Sequence, residues 1–410
     1  MATRARWPVP ADFAPPPDDA RRLAWAEVDR VARPTRVARL RSRLPEAGVD
    51  AYFGVRREHM RYVTGFALAE TEVASAGVSG QFLVTGDEVV VVADSRYTIQ
   101  ARRETPDCRV FDWYQDLDAR WPVLLASAGV RRVAVEAGFV AHATWGRLAA
   151  AAPDVELVPV DGWLEADRAI KEPAELERVA AACAVADRAL AALVPEILPG
   201  VTERDLALRL EWLMRTGGAE ALAFDVACLS GPESALPHGS PGDRPVLDGA
   251  VLLFDFGAQV EGYRSDMTRT LFVGEPAARD LAVYELVAAA QAAAIGSLET
   301  VIAGGGELPS GRAVDAVARA VIADGGHGDH FGHGTGHGIG LATHEAPSLG
   351  TRAADTLLPS PTVFSVEPGI YLDGEMGVRI EDLIAIDAAA GRIDRLTQFP
   401  RDVVVVGSRT

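Results

Sequence analysis

The sequence predicts an α+β fold for its C-terminal half and an α/β domain ahead of it. Three observations carry that reading. Two hairpin patterns in the last third, residues 251–274 and 363–386, each set β-rich runs on either side of a polar turn. Long Ala-rich stretches with helical character lie beside them. Between residues 35 and 165, short β-branched runs alternate with helix-like ones, the pattern of strands layered with helices.

Along the chain, residues 1–34 read as an extension. They are charged and proline-bearing, with Pro15-Pro16-Pro17 stopping any helix and a short amphipathic stretch from Leu23 to Val31. This segment is expected to pack on the first domain or fray from it. In the domain of residues 35–165, strands are predicted at Ala51–Gly54, Gln81–Thr85, Glu88–Ala93 and Arg132–Val135, with helices at Arg36–Ala47 and Thr144–Ala152. Residues 166–410 form the second domain. There a helix runs from Pro173 to Ile197 and stops at Pro199-Gly200, Thr202 caps another that reaches Arg215 before Gly217-Gly218, and residues 281–298 make a third. These helices are expected to cover the outer face of a curved antiparallel sheet made by the hairpins.

The hairpins carry the acids. In VLLFDFGAQVEGYRSDMTRTLFVG, Glu261-Gly262 is the turn, and Asp255 and Asp266 stand equidistant from the midpoint between Val260 and Glu261. A simple antiparallel register therefore predicts that they face each other across the ladder. In VFSVEPGIYLDGEMGVRIEDLIAI, Asp373-Gly374 is the turn signal, and Glu367 and Glu381 are symmetric about Gly374. A lone acid on a strand is most often a solvated face residue, but two symmetric pairs of like charges destabilise a ladder unless a cation neutralises them. The third element is HGTGHGIGLATHEAP, residues 333–347, whose glycines allow close backbone approach and whose histidines recur at 333, 337 and 344. Of eight histidines, five fall between 327 and 344; His327 and His330 read as residues of a Gly-rich surface loop, and His333 also admits the reading of a buried, hydrogen-bonded histidine.

FDFG with SDMTRT, GHGTGHGIGL followed by THEAP, SVEPGIY and GVRIED, in that order, resemble the pita-bread metallopeptidases: methionine aminopeptidase, aminopeptidase P and prolidase. The frames PHG at 237–239 and EPGIY at 367–371 resemble the proline-specific branch. The likeness is close over residues 170–390 and looser over 35–165, which implies a C-terminal pita-bread domain behind a creatinase-like α/β domain. It implies two divalent ions held by Asp255, Asp266, His337, Glu367 and Glu381, with Asp266 and Glu381 bridging. It also implies that His238, His333 and His344 are active-site histidines, and that Tyr371 and Arg379 support the ligands. Ala342-Thr343 departs from the more usual acidic-apolar pair before the last histidine. Asp94-Ser95-Arg96-Tyr97, followed by Gln100-Ala101, resembles an N-domain motif of aminopeptidase P; its competing reading is a strand-end turn with an arginine salt bridge.

The implied chemistry is hydrolysis of an Xaa-Pro bond at the N-terminus of short peptides. A two-metal site can lower the pKa of a bridging water and polarise the scissile carbonyl, with Glu367 accepting the water's proton and His238 and His344 donating to the oxyanion. Four carboxylates and an imidazole suit manganese first, with cobalt, iron or zinc as alternatives. Prolidase chemistry on dipeptides, a non-peptide hydrolase or lyase using the same metals, and a pseudo-enzyme binding module on this fold are the competing functions. Buried, costly acids argue against the last.

Composition narrows the setting. At 410 residues, 49% of them apolar, the chain is long enough for two cores. A net charge of −18 argues against nucleic acid as a partner, since that binding depends on basic side chains meeting phosphates. Cys108, Cys183 and Cys228 are odd in number and lack CxxC spacing, which fits free thiols in a reducing cytoplasm. There is no N-terminal apolar leader and no unbroken run of about 18 apolar residues, so no membrane partner is expected. The expectation is a soluble cytoplasmic homodimer acting on short proline-containing peptides.

Overall fold

The structure is a computed structural model that describes residues 7–68, 80–112 and 117–407. The chain divides into two units, one of Leu23–Asp167 and one that joins Met1–Arg22 to Arg168–Thr410.

The unit of Leu23–Asp167 holds most of α1 (Asp19–Glu46), then β1 (Ala51–Gly54), α2 (Arg57–Thr64), β2 (Gln81–Thr85), β3 (Val89–Ala93), α3 (Thr98–Glu104), β4 (Arg109–Asp112), α4 (Leu117–Ser127), β5 (Arg132–Glu136), α5 (His142–Ala151) and β6 (Glu156–Val160). The six strands make one mixed sheet in the order β4-β3-β2-β1-β5-β6. Its interior is packed by Phe53, Leu83, Val90, Val133 and Leu148, with Trp121 set edge-on to Phe53 at 4.8 Å between ring centroids. The central strands follow the sequence expectation closely. The edge strands β4 and β6 escape it because they are only half buried and β6 contains Pro159, so neither shows a continuous apolar run. The helix predicted at Arg36–Ala47 is the second part of α1, which continues through Pro34. Trp25 on one side of the proline and Val37, Leu40 and Leu44 on the other are all buried, and this packing outweighs the lost backbone donor.

Asp94-Ser95-Arg96-Tyr97 forms the turn that leaves β3. The Arg96 guanidinium meets Asp94 at 2.8 Å, and Thr98 at the start of α3 donates its backbone N–H to Asp94 O at 2.9 Å. The salt-bridged strand end of the competing reading is therefore present.

A buried carboxylate ties β1, α2 and β5 together. Glu136 accepts from Tyr52 OH at 2.5 Å, from the backbone N–H of Val55 and Arg56 at 2.6 and 2.8 Å, and lies 2.6 Å from His59 Nδ1. Burial pushes its carboxyl up, but His59, Tyr52 and Val55 outweigh that and hold it below the usual carboxylate range. The stabilisation is thus present above the unfolded value of about 4.3 and lost as pH falls through the lower folded value. Glu136→Gln is expected to cost roughly 3 kcal/mol at neutral pH. Urea unfolding of both proteins at several pH values checks it: the gap should narrow below about pH 4, and a gap independent of pH would contradict the assignment.

The second unit resumes at Arg168, within α6 (Trp163–Ala169). Residues up to Arg22 belong here: Arg188 Nη1 donates to Pro10 O at 2.6 Å, and Arg22 Nη1 pairs with Glu261 at 2.7 Å. The expectation that residues 1–34 pack on the first domain or fray from it is corrected by those contacts for the described residues up to Arg22, whereas the part from Leu23 belongs to the first unit, a division that charge pattern could not make. The helices are α7 (Pro173–Leu193), α8 (Glu203–Thr216), α9 (Ala278–Ala303) and α10 (Gly311–Asp324). Thr202 caps α8 by accepting from Asp205 N at 3.1 Å, as its position predicted. The predicted helix to Ile197 ends earlier, at Leu193, and continues as a 3₁₀ turn over Val194–Glu196.

The strands of this unit are β7 (Ala221–Leu222), β8 (Ala227–Ser230), β9 (Val251–Phe256), β10 (Ala258–Val260), β11 (Tyr263–Arg264), β12 (Met267–Val273), β13 (Gly336–Gly338), β14 (Glu345–Leu349), β15 (Thr362–Val366), β16 (Gly369–Leu372), β17 (Met376–Arg379), β18 (Asp382–Asp387), β19 (Arg392–Arg395) and β20 (Val405–Val406). They form sheets ordered β11-β10-β7, β20-β12-β9-β8, β14-β13-β15-β18-β19 and β16-β17. All pair antiparallel except β12 with β20. The α+β reading of this half holds, with the predicted sheet broken into four. α9 and α10 supply one side of the core, where Val287, Leu298 and Ala318 meet Phe364, Ile380 and Ile384. Although no unbroken apolar run marks it, α9 is long and apolar enough by length and composition to cross a membrane. Its buried residues, among them Val283, Val287, Ala290, Ala294 and Leu298, recur at helical spacing and pack into this core.

Candidate metal centre

The first hairpin closes at Glu261-Gly262, both at positive φ (49° and 80°), as a two-residue turn of this hand requires. That turn sets the register: Val260 pairs with Tyr263, Gln259 with Arg264, and further out Asp255 with Thr268. The prediction that Asp255 faces Asp266 is corrected here. The centre of symmetry lies between Glu261 and Gly262, one residue later than the sequence midpoint, so the acids sit diagonally on one face of the ladder. Gly257 permits the close crossing between them, since a Cβ there would lie 2.0 Å from Ser265 O.

In the second hairpin the predicted symmetry is present. Val366 pairs with Asp382 and Gly369 with Arg379, so Glu367 and Glu381 stand opposite one another where the long ribbon breaks between two sheets. The broken backbone is satisfied from outside. Gln291 on α9 donates from Nε2 to Val366 O and Ile380 O, each at 3.1 Å. Buried Arg269 binds Asp382 Oδ1 at 2.7 Å and donates to the carbonyls of Thr268, Glu381 and Phe399. Thr268 donates to Glu381 Oε2 at 2.8 Å, which aims that carboxylate.

His337 on β13 reaches the same place. Its Nε2 lies 3.3 Å from Glu367 Oε1 and 3.7 Å from Asp266 Oδ2, while Nδ1 lies 3.1 Å from Gly338 O. A carbonyl on Nδ1 places the proton there and leaves Nε2 as the outward ligand atom. Gly336 lets β13 approach β15, because a Cβ would fall 1.9 Å from Ser365 O. Ser365 Oγ accepts from His337 N and donates to Glu367 Oε1, both at 3.0 Å. Asp315 on α10 holds Thr335 through N and Oγ1 at 3.0 and 2.8 Å, and Thr335 O in turn accepts from Glu367 N.

Asp255, Asp266, His337, Glu367, Glu381, His238, His333, His344 and Arg379 all line one cavity of about 510 Å³. Tyr371 does not line it; its OH lies 2.8 Å from His333 Nε2 and accepts from Arg379 Nη1 at 2.9 Å. Arg379 also donates to Asp255 Oδ2 at 2.6 Å and to Thr268 Oγ1 at 2.8 Å. His344 packs on His337 at 4.3 Å between ring centroids. The 3₁₀ turn Gly328–His330 leaves His330 exposed, in keeping with a surface loop. Thr343 Oγ1 bonds to Ala223 O and accepts from Arg264 Nη1. Sequence reasoning missed Thr268, Arg269, Gln291, Asp315 and Ser365. Thr268 and Arg269 lie inside the SDMTRT frame, and Ser365 opens SVEPGIY, but Gln291 and Asp315 come from distant helices with no local signal.

The electrostatics fit a cation. Burial pushes the carboxyls of Asp266 and Glu381 well above their usual range, and neighbouring acids push them further: Glu381 on Asp266, Glu367 on Glu381. Burial also raises Asp255, against the charge of Arg379. For Glu367 burial is outweighed by the hydrogen bond and charge of His337, with Arg379, which bring it to about 2. His337 is correspondingly raised to about 9 despite burial. Burial pushes His344 and His333 below their usual range, so both are neutral near pH 7. Asp255 Oδ1 and Glu381 Oε1 are buried without a hydrogen-bond partner, an arrangement that costs about 1–3 kcal/mol per atom. Asp266, His337 and Glu381 each offer a ligand atom within 4.8 Å of the others. Oxygen-rich donors with one imidazole nitrogen and orphaned buried oxygens fit divalent metal ions.

Acids able to hold metal ions on two broken hairpins, with His238, His333 and His344 lining the same cavity, are equipment that suits a metal-dependent hydrolase acting on peptides. The chain belongs to metallopeptidase family M24, whose model matches residues 177–388, and carries a creatinase/prolidase N-terminal domain over residues 36–170. It is 33% identical over 371 residues to the uncharacterized peptidase YqhT of Bacillus subtilis, covering 90% of this chain and all of the relative. A solved Xaa-Pro dipeptidase from Bacillus anthracis superposes with a TM-score of 0.82 at 32% identity, over 91% of this chain and 99% of that one. An X-Pro aminopeptidase from Thermotoga maritima superposes with a TM-score of 0.76 at 35% identity, over 88% and 98%.

Proposed function

We propose that this enzyme removes the N-terminal residue from short peptides whose second residue is proline, using two divalent ions, manganese first, held by Asp255, Asp266, His337, Glu367 and Glu381. The observation that carries the reading is the convergence of two acid pairs and His337 on one cavity, with two carboxylate oxygens left unpartnered. When bound, the ions supply a water of lowered pKa and polarise the scissile carbonyl. Glu367 takes the water's proton at Oε2, since Oε1 is engaged by Ser365, and delivers it to the leaving proline nitrogen. His238 or His344 donates an N–H to the developing oxyanion. Arg379 holds Asp255, Thr268 holds Glu381, and Tyr371 links Arg379 to His333. The three described free cysteines support a reducing cytoplasmic setting, and a homodimer remains part of the proposal.

An aminopeptidase is favoured over a dipeptidase by the cavity wall. Among the described residues that line it, Arg379 is the one guanidinium and no lysine is present. Arg379 is already committed to Asp255, Thr268 and Tyr371, so no spare cation stands there to match a dipeptide's C-terminal carboxylate. The dipeptidase reading is kept because the Bacillus anthracis structure bears that name. Ala-Pro, Ala-Pro-Ala and a longer Xaa-Pro peptide, assayed side by side with Ala-Ala-Ala, separate them. Cleavage of the longer substrates at rates at least equal to Ala-Pro is expected, with Ala-Ala-Ala slower by roughly tenfold or more. Hydrolysis confined to Ala-Pro would establish a dipeptidase, and equal cleavage of Ala-Ala-Ala would remove the proline requirement.

A further inference from the structure

A second cavity, of about 540 Å³, adjoins the metal centre and shares His333, Gly334 and Ser348 with it. Its volume is in the range of small-ligand pockets. The floor between the two is bare backbone: Gly334 and Gly350 approach so closely that a Cβ on Gly350 would lie 3.3 Å from Gly334 Cα, and one on Gly334 would lie 2.7 Å from Leu349 O. Nothing larger than Ser348 and the His333 ring stands at the shared wall. Two guanidiniums line the second cavity, and they differ. Arg319 is fully used, bound to both Asp315 oxygens and donating to the carbonyls of Phe331 and His333. Arg352 is exposed and, among the described residues, pairs with no carboxylate. An exposed guanidinium lining a cavity that adjoins the candidate site is free to meet an anionic group.

We infer that this second cavity holds the part of the peptide beyond the proline, and that Arg352 recognises the C-terminal carboxylate of substrates long enough to reach it. The inference rests on the peptidase reading above and adds its length and end-group specificity. A dipeptide's carboxylate stays inside the first cavity, whereas each added residue extends the chain by about 3.3 Å toward Arg352. A guanidinium at the groove's exposed end gives a modest preference, in the range of a partly solvated ion pair.

The test compares Ala-Pro-Ala, Ala-Pro-Ala-Ala and Ala-Pro-Ala-Ala-Ala, each as free acid and as C-terminal amide, with full-length enzyme and its Arg352→Ala, Arg352→Glu and Arg352→Lys variants. In the parent enzyme, kcat/KM should favour the acid over the amide by about fivefold at one or more of these lengths, through KM rather than kcat. The ratio should fall to near one in Arg352→Ala, invert in Arg352→Glu and persist in Arg352→Lys. An equal acid-to-amide ratio in the parent and in Arg352→Glu, with peptides still cleaved, would overturn the inference and leave the peptidase reading standing. No cleavage of any Xaa-Pro peptide by the parent would overturn both.

Discussion

Exhaustive chelation is expected to lower peptide hydrolysis by about three orders of magnitude or more, and added Mn²⁺ or Co²⁺ to restore it, because only a metal ion brings water to a nucleophilic pKa near neutrality. Asp255, Asp266, Glu367 and Glu381 offer four acids and no general base strong enough to replace that effect. The apoprotein is also expected to melt at a lower temperature, since unpartnered Asp255 Oδ1 and Glu381 Oε1 lie buried among like charges. Metal analysis, turnover and melting measured on the same chelated sample check this. Full turnover with metal content confirmed as nil would exclude the two-metal mechanism.

Glu367→Gln should reduce kcat by roughly two or more orders of magnitude, the span of general acid–base catalysis, while the protein folds and retains metal. The amide keeps one ligand oxygen and the partner for Ser365 but cannot accept a proton. A readout that separates this from metal loss is essential: metal stoichiometry and melting temperature should be near those of the parent, with the loss confined to kcat. Near-normal turnover in a fully loaded variant would move the proton acceptor to another residue.

Much of the site was legible because its residues lie in short frames with local rules. Glu367 and Glu381 could be paired from symmetry about Gly374, since register in a hairpin propagates from its turn. The same rule, applied to Asp255 and Asp266 with the turn centre misplaced by one residue, led to the wrong partner; the φ values of Glu261 and Gly262 locate the centre, and they are not visible in composition. The order of the motifs resembles the pita-bread metallopeptidases, and the match to metallopeptidase family M24 and the structural neighbours bear that out. Edge strands β4 and β6 were not legible because they are only half buried and so carry no continuous apolar run, and the passage of α1 through Pro34 because burial of Trp25, Val37, Leu40 and Leu44 overrides the local break.

The sequence by itself therefore determined the kinds of atoms available and their local spacing: four acids on two hairpins, histidines set among glycines, and an arginine two residues before Glu381. Periodicity and turn chemistry act over a few residues, so they survive in a one-dimensional reading. Only the tertiary structure decided how those atoms are held. Gln291 on α9 satisfies the broken ribbon, Asp315 on α10 anchors Thr335, Thr268 aims Glu381, and Arg379 spans Asp255 and Tyr371. Each joins residues that are far apart in the chain or on different elements, and each exists because a buried polar group must find a partner wherever folding places one. The unpartnered oxygens of Asp255 and Glu381 are among the exceptions to that rule, and they lie where the metal ions are proposed to bind.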